Sequence, residues 1–63
     1  MELKPEKYKG VVIRIRKYPP DKWGAVLYEY THELMTGWSS VPYGGNKGTA
    51  IHYAADSIDA AIK

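Results

Sequence analysis

The residues best suited to chemistry in this chain are arginines and tyrosines that recur two positions apart. Arg14 and Arg16 occur in one run of β-branched residues, and Tyr28 and Tyr30 occur in a later segment that is also predicted to be a strand. Residues two positions apart lie on the same face of a strand, so each pair is expected to project from one side of a sheet. A guanidinium group binds phosphate or a guanine edge through two parallel hydrogen bonds, and a phenol ring stacks on a base. The spacing therefore predicts a contact surface for nucleic acid or for a protein partner.

Three lysines near these pairs extend the candidate surface. Lys9, Lys17 and Lys22 are expected to steer an anionic partner towards the arginines and tyrosines. The alternative is that the arginines and tyrosines pair across strands and only stabilise the sheet.

A glycine-rich segment provides a second candidate site. Gly45, Lys47 and Gly48 precede the clearest helical pattern in the chain. Open backbone, a lysine and the amino end of a helix together favour an anion site. The order of residues is not that of a Walker loop, which requires Gly-x-x-x-x-Gly-Lys-Ser/Thr. The alternative is an ordinary connection between a strand and a helix.

Metal and catalytic chemistry have little support in the sequence. His52 and Asp56 share one face of the predicted helix, but two ligands are too few for a structural zinc site. The chain has no cysteine, which excludes disulfides and thiolate ligands, and its serines lie in no nucleophile motif. A domain of 63 residues also offers little room for a pocket that excludes water. We therefore expect no metal, no cofactor and no enzymatic activity.

Strands and turns must position the candidate surface. Residues 11–18 are rich in β-branched residues, and Ile13 and Ile15 alternate with Arg14 and Arg16, which is the period of a half-buried strand. Two prolines within residues 19–22 break this strand, and a second strand is predicted from Trp23 to about Tyr30. Residues 38–41 are predicted to form a short third strand.

The carboxyl-terminal segment carries a helical pattern. Its apolar residues recur every three or four positions, as on one stripe of a helix. These residues are Ile51, Ala54, Ala55, Ile58 and Ile62. Asn46 or Thr49 is expected to cap the amino end of the helix.

One helix can cover only one face of the sheet. The covered face is predicted to carry Val11, Ile13, Ile15, Ala25 and Leu27. The uncovered face is predicted to carry Val12, Arg14, Arg16, Tyr18, Val26, Tyr28 and Tyr30. An antiparallel sheet can face water on one side, which leaves the second set free to bind.

These elements predict a single α+β domain with a three-stranded antiparallel sheet packed on one C-terminal helix (β-β-β-α). Residues 1–8 are interpreted as a polar lead-in, 9–43 as the sheet, 44–48 as a glycine-rich loop and 49–63 as the helix. A chain this short buries only about 60% of its unfolded surface, so its core is expected to be thin.

Charged side chains are unevenly distributed along the chain. Residues 1–31 carry seven basic and four acidic side chains, whereas residues 32–63 carry two basic and three acidic ones.

No apolar run reaches the roughly 18 residues that a membrane span needs. Residues 1–9 lack the apolar stretch of a secretion signal. No membrane association and a cytoplasmic, intracellular location are the default expectations.

Several short motifs resemble a known DNA-binding fold. They are Tyr8-Lys9-Gly10-Val11, Arg14, Lys22-Trp23-Gly24-Ala25, Trp38, and the alanines Ala50, Ala54 and Ala55. Together they resemble the β-β-β-α DNA-binding domain of plant ethylene-response factors, which is similar in fold to the amino-terminal domain of tyrosine integrases. The resemblance implies that the sheet lies in the major groove, with Lys9, Arg14 and Trp23 as DNA contacts. Val12, Val26 and Tyr28 stand where that family usually has arginine, glutamate and arginine.

Two functional hypotheses follow. The first is a small nucleic-acid-binding or regulatory domain that uses the uncovered sheet face. The second is a protein-binding module or small inhibitor, of the kind that mobile elements encode, which uses the same face to bind another protein or its own copy. Binding through phosphate contacts should weaken steeply with salt, whereas an interface anchored by tyrosines should not.

Overall fold

The computed structural model of the chain describes residues 1–63 and contains one sheet and one helix. In chain order the elements are β1 (Glu6–Tyr8), β2 (Val11–Lys17), β3 (Tyr28–His32), β4 (Ser39–Ser40) and α1 (Lys47–Ala61). All neighbouring strands pair antiparallel in the order β1-β2-β3-β4. The predicted α+β class, an antiparallel sheet packed on a C-terminal helix, is confirmed, and the sheet gains a strand at its amino-terminal edge.

That additional strand corrects the interpretation of residues 1–8 as a lead-in. Tyr8 in β1 lies opposite Val11 in β2, so only two residues connect the strands. These residues, Lys9 and Gly10, have φ angles of 51° and 80°. A two-residue turn with both residues left-handed matches the twist of a hairpin, and glycine adopts this conformation without steric cost.

The first residues of the chain extend the same edge. The Leu3 amide donates a hydrogen bond to the Ile15 carbonyl at 2.8 Å. Glu2 consequently lies opposite Arg16 in an isolated antiparallel bridge. The amino-terminal segment thus delivers a carboxylate to the side of the sheet that carries the arginines.

The strand predicted for residues 11–18 is present as β2. Ile13 and Ile15 are fully buried, whereas Arg14 between them is exposed. This alternation confirms a strand with one buried face and one open face.

The second strand begins later than predicted, at Tyr28 instead of Trp23. The Asp21 carboxylate accepts hydrogen bonds from the amides of Trp23 at 2.8 Å and Ala25 at 3.0 Å. An aspartate side chain that bonds to nearby backbone amides stabilises a turn in competition with a strand ladder. Gly24, at a φ of 81°, completes this turn.

The register of β2 and β3 reverses the predicted face of two tyrosines. Ile15 lies opposite Tyr30, and Lys17 lies opposite Tyr28. Residues directly opposite each other in an antiparallel pair project from the same side of the sheet. Tyr28 and Tyr30 therefore lie on the helix-covered side, where both pack against the core. Their predicted position beside the arginines is wrong.

The covered face also differs from the prediction in its other members. Ala25 and Leu27 lie outside the strands, and Leu27 is 43% exposed. The core consists of Ile13, Ile15, Val41, Ala50, Ala54 and Ile58. Two alanines among the three buried helix residues bring α1 close to the sheet.

Helix α1 begins two residues before its predicted start. Asn46 is the N-cap, and its side chain accepts a hydrogen bond from the Thr49 amide while the Thr49 hydroxyl accepts one from the Asn46 amide. This reciprocal pair satisfies two amides that the helix leaves unpaired. The chain contains no helix with the length and apolar character required to span a membrane.

Candidate functional site

The side of the sheet opposite α1 is the candidate binding surface, and we call it the open face. Strand register assigns to it Lys7, Val12, Arg14, Arg16, Glu29, Thr31 and Ser40. No element of the chain covers this side. The open face therefore carries the predicted Arg14 and Arg16 but not the predicted Tyr28 and Tyr30.

Two aromatic rings and two guanidinium groups form a row on the open face. The Cζ atom of Arg16 lies 4.0 Å from the centre of the Trp38 ring and 5.6 Å from that of Tyr18. The Cζ atom of Arg14 lies 5.2 Å from the same Trp38 ring. We call these four residues the open-face row. At such distances the electron-rich face of each ring attracts the neighbouring cation.

Glu29 fixes the centre of this row. Its Oε1 atom accepts hydrogen bonds from Tyr18 Oη and from Arg16 Nε, both at 2.7 Å. These bonds, first from the phenol and then from the guanidinium, lower the pKa of Glu29 and keep it ionised. The same carboxylate raises the pKa of Arg16 and of Tyr18. Arg16 is thus held both by a carboxylate and by the stack on Trp38.

Arg14 has a different and more exposed partner. Its Nε and Nη2 atoms donate to the two carboxylate oxygens of Glu2, each at 2.8 Å. The guanidinium lowers the pKa of Glu2. Both side chains are about half exposed, at 52% and 43%. The pair is open to solvent, so another anion can reach this guanidinium and compete with Glu2 for it.

The predicted lysines do not join the arginines. The Lys9 ammonium donates to Asp59 at 2.8 Å, at the turn between β1 and β2. Lys17 lies on the helix-covered side, opposite Tyr28. Lys22 lies in the turn after β2, with its ammonium 4.3 Å from the centre of the Trp23 ring.

Trp23 is also separate from the open-face row. It is 71% exposed and belongs to the turn that Asp21 stabilises. Of the eight binding residues predicted from the sequence, only Arg14 and Arg16 lie on the open face.

The residues of the predicted anion site make contacts with other residues of the chain. The Lys47 ammonium lies 3.4 Å from the Glu6 carboxylate of β1, so it already has an anionic partner within the chain. Gly45 packs against the Val41 side chain, and a Cβ atom there would clash with it. Gly48 lies in the first turn of α1. An anion site at this segment stays a prediction.

A buried histidine and a serine form the arrangement closest to a catalytic pair. His32 is only 4% exposed, and its Nε2 atom lies 2.9 Å from Ser57 Oγ. The Leu34 amide donates to His32 Nδ1 at 3.1 Å, which places the ring proton of neutral His32 on Nε2. In this tautomer the imidazole donates to Ser57 and cannot accept its proton. Burial lowers the pKa of His32 and so favours the neutral ring.

The residues considered for a metal form only a pair. His52 Nε2 lies 3.4 Å from the Asp56 carboxylate on the exposed surface of α1. No group of three or more potential metal ligands occurs in the chain.

A groove beside the sheet was not predicted from the sequence. It has a volume of about 360 Å³ and lies between the turn after β2 and the segment after β4. Its walls consist of Tyr18, Pro19, Asp21, Ala25, Val26, Leu27, Pro42 and Tyr43. Tyr43 is 77% exposed, and its hydroxyl donates to Asp21 Oδ2 at 3.3 Å.

The sequence also did not predict the position of Trp38 in the row. Ser40 lies opposite Glu29, and the alternation along β4 then places Trp38 on the open face as well. The loop between β3 and β4 sets that register, and its path does not follow from residue pattern alone.

Comparison of the chain with protein-family models, curated proteins and solved structures finds no match. The resemblance to the ethylene-response-factor domain and to integrase amino-terminal domains therefore stays a prediction.

Proposed function

We propose that this chain is a non-enzymatic domain that binds nucleic acid through its open face. The observation that carries the proposal is the open-face row, in which two guanidinium groups alternate with two aromatic rings. Surfaces that bind single strands combine cations for the backbone with aromatic rings on which bases stack.

The two arginines have different tasks in this proposal. Arg16 is fixed by Glu29 and by Trp38, so it holds the aromatic surface in place. Arg14 exchanges the Glu2 carboxylate for a phosphate of the ligand. The exposed part of Trp38 offers a surface for one base. A ligand with unpaired bases suits this arrangement better than a closed duplex, because stacking requires an accessible base face.

The modest charge of the chain limits the expected affinity. The net charge is +2, and Glu2 and Glu29 offset both arginines of the row. With one phosphate contact, at Arg14, a plot of log binding constant against log salt concentration should have a slope of about −0.7 for a single strand. The binding should therefore weaken with salt without vanishing at physiological ionic strength.

The test is a fluorescence-anisotropy titration of labelled single- and double-stranded oligonucleotides at low salt and at about 150 mM salt. The double variant Arg14→Ala/Arg16→Ala should lose the binding. The matched control is Lys47→Ala/Lys63→Ala, which removes the same charge from outside the open face. If both double variants lose the same amount of affinity, the binding depends on net charge and not on the open face. If the wild-type chain does not bind even at low salt, the proposal is wrong.

A protein ligand on the same face is the second candidate. The observation that favours it is the charge balance, since each arginine of the row already has a carboxylate partner. Tryptophan, tyrosine and arginine are the residue types most common at energetic centres of protein interfaces. Binding that depends on Trp38 and Tyr18 but hardly on salt would select this candidate.

A further inference from the structure

The groove and the turn beside it form a largely apolar surface that shares only Tyr18 with the open-face row. Trp23, Leu27 and Tyr43 are 71%, 43% and 77% exposed, respectively. All three lie in the groove wall or in the turn that supplies part of it. Large apolar side chains that are exposed in one region of a small protein often mark an interaction site.

The turn presents one chemically distinct projection. The Lys22 ammonium lies 4.3 Å from the centre of the exposed Trp23 ring, so a cation and an indole project together. The groove carries the opposite charge, since its largely apolar walls include the carboxylate of Asp21. Backbone amides of Ala25 and Trp23 lower the pKa of Asp21, which keeps it ionised.

We propose that a second copy of this chain fills the groove, with Lys22 and Trp23 of each copy seated against the groove of the other. The inference goes beyond the proposed nucleic-acid binding and does not depend on it. The partner is assigned by complementarity: the chain carries both the groove with its acidic group and the aromatic projection with its cation. A two-fold interface joins one patch to itself, so projection and groove must lie close together, as they do within residues 18–27.

The small core supplies a second argument. Only seven of the 63 residues are buried, and six of them make up the apolar core. Domains of this size commonly gain stability from a partner chain. Burial of Trp23, Leu27 and Tyr43 against a second copy would add apolar area that the isolated fold leaves in water.

Sedimentation equilibrium of the purified chain, from about 1 μM to 1 mM, tests the proposal, together with the dependence of Tm on protein concentration. We expect a monomer–dimer equilibrium and a Tm that rises with concentration. Trp23→Ala should weaken association by at least about tenfold, as expected of an aromatic residue central to an interface. Lys22→Glu should weaken it through repulsion from Asp21 of the other copy.

Leu27→Ser and Leu34→Ser form a matched pair. The two leucines are 43% and 47% exposed, but only Leu27 lines the groove. Dissociation by Leu27→Ser and not by Leu34→Ser, with the far-ultraviolet spectrum of both variants unchanged, supports the proposal. A chain that stays monomeric at the highest concentration overturns it, as does a dimer that tolerates Trp23→Ala and Leu27→Ser.

Discussion

The guanidinium carbon of Arg16 lies 4.0 Å from the centre of the Trp38 ring, across the middle of a sheet face that the helix leaves uncovered. Glu29 accepts a hydrogen bond from the same guanidinium at 2.7 Å, so two independent contacts fix it. A cation and an aromatic ring are therefore arranged for a ligand before any ligand arrives. Such preorganisation reduces the entropy that binding must overcome.

The first prediction concerns Trp38. Trp38→Ala should weaken binding of a single-stranded oligonucleotide by about 1–3 kcal/mol, the usual contribution of one stacked base. Anisotropy titration measures the change. Tyr53→Ala removes an aromatic residue that is 38% exposed on α1, and it should leave the affinity unaltered. If the two variants weaken binding equally, Trp38 has no special role.

The second prediction concerns Glu2. This carboxylate occupies Arg14 through two hydrogen bonds of 2.8 Å, so in our account it competes with the phosphate of the ligand. Glu2→Gln should tighten nucleic-acid binding. Asp56→Asn makes the same change in charge on the far side of the domain and should have a smaller effect. A Glu2→Gln variant with unchanged or weaker affinity would contradict the exchange of anions at Arg14.

The third prediction concerns pH and His32. Burial lowers the pKa of His32 in the folded chain, so the unfolded chain binds more protons as the pH falls below about 6.5. The contribution of neutral His32 to stability is complete above that pH and is lost as the pH falls towards the folded pKa. Protonation of Nδ1 would also break the hydrogen bond that this atom accepts from the Leu34 amide.

Urea denaturation at pH values from 8 to 5 measures this effect. The wild-type chain should lose stability over this range before the carboxylates titrate. His32→Gln should remove most of that dependence, although it also lowers the stability at pH 8. The matched control is His52→Gln, which makes the same substitution on the exposed surface of α1. A pH dependence that persists in His32→Gln would assign it to another group.

The fourth prediction concerns Gly45. A Cβ atom at this position would clash with the Val41 side chain and lie 3.0 Å from the Pro42 carbonyl oxygen. Gly45→Ala should therefore destabilise the fold by about 1–3 kcal/mol, the usual cost of overpacking. Denaturant titration measures the loss. In a Val41→Ala background the same substitution should cost less, and an equal cost in both backgrounds would exclude Val41 as the cause.

Much of this fold could be predicted from residue pattern, because two segments have clear periods. In the first, Ile13 and Ile15 alternate with Arg14 and Arg16, and in the second, the stripe from Ile51 to Ile62 has the period of a helix. These segments became β2 and α1. Asn46 was expected as one of two N-caps, and it forms the capping box with Thr49, the other.

Residue pattern did not predict correctly which residues of β3 face the core. The alternation within a strand states which residues share a side but not which side faces the core, because the connecting turn sets the register. In β3, Glu29 and Thr31 alternate with Tyr28, Tyr30 and His32. That pattern already favours the tyrosines as the buried set. The prediction instead continued the alternation back to Trp23, through residues that Asp21 folds into a turn.

The edge strand β1 left one signal in the sequence. The pair Lys9-Gly10 lies between Tyr8 and Val11, and a glycine in a two-residue connection favours a hairpin. The charged residues around Pro5 concealed a strand that is only three residues long. The groove left no such signal, because its walls come from two loops that the fold brings together.

The measurement that tests the central claim most directly is a ¹H–¹⁵N correlation spectrum of the labelled chain, recorded during titration with a single-stranded oligonucleotide. The account predicts that shifts concentrate at Arg14, Arg16, Thr31 and the indole Nε1–H of Trp38, while the amides of α1 and of the turn around Trp23 stay in place. Shifts confined to α1 or to the groove, or no shifts with ligand in excess, would contradict the assignment of the open face as the nucleic-acid surface.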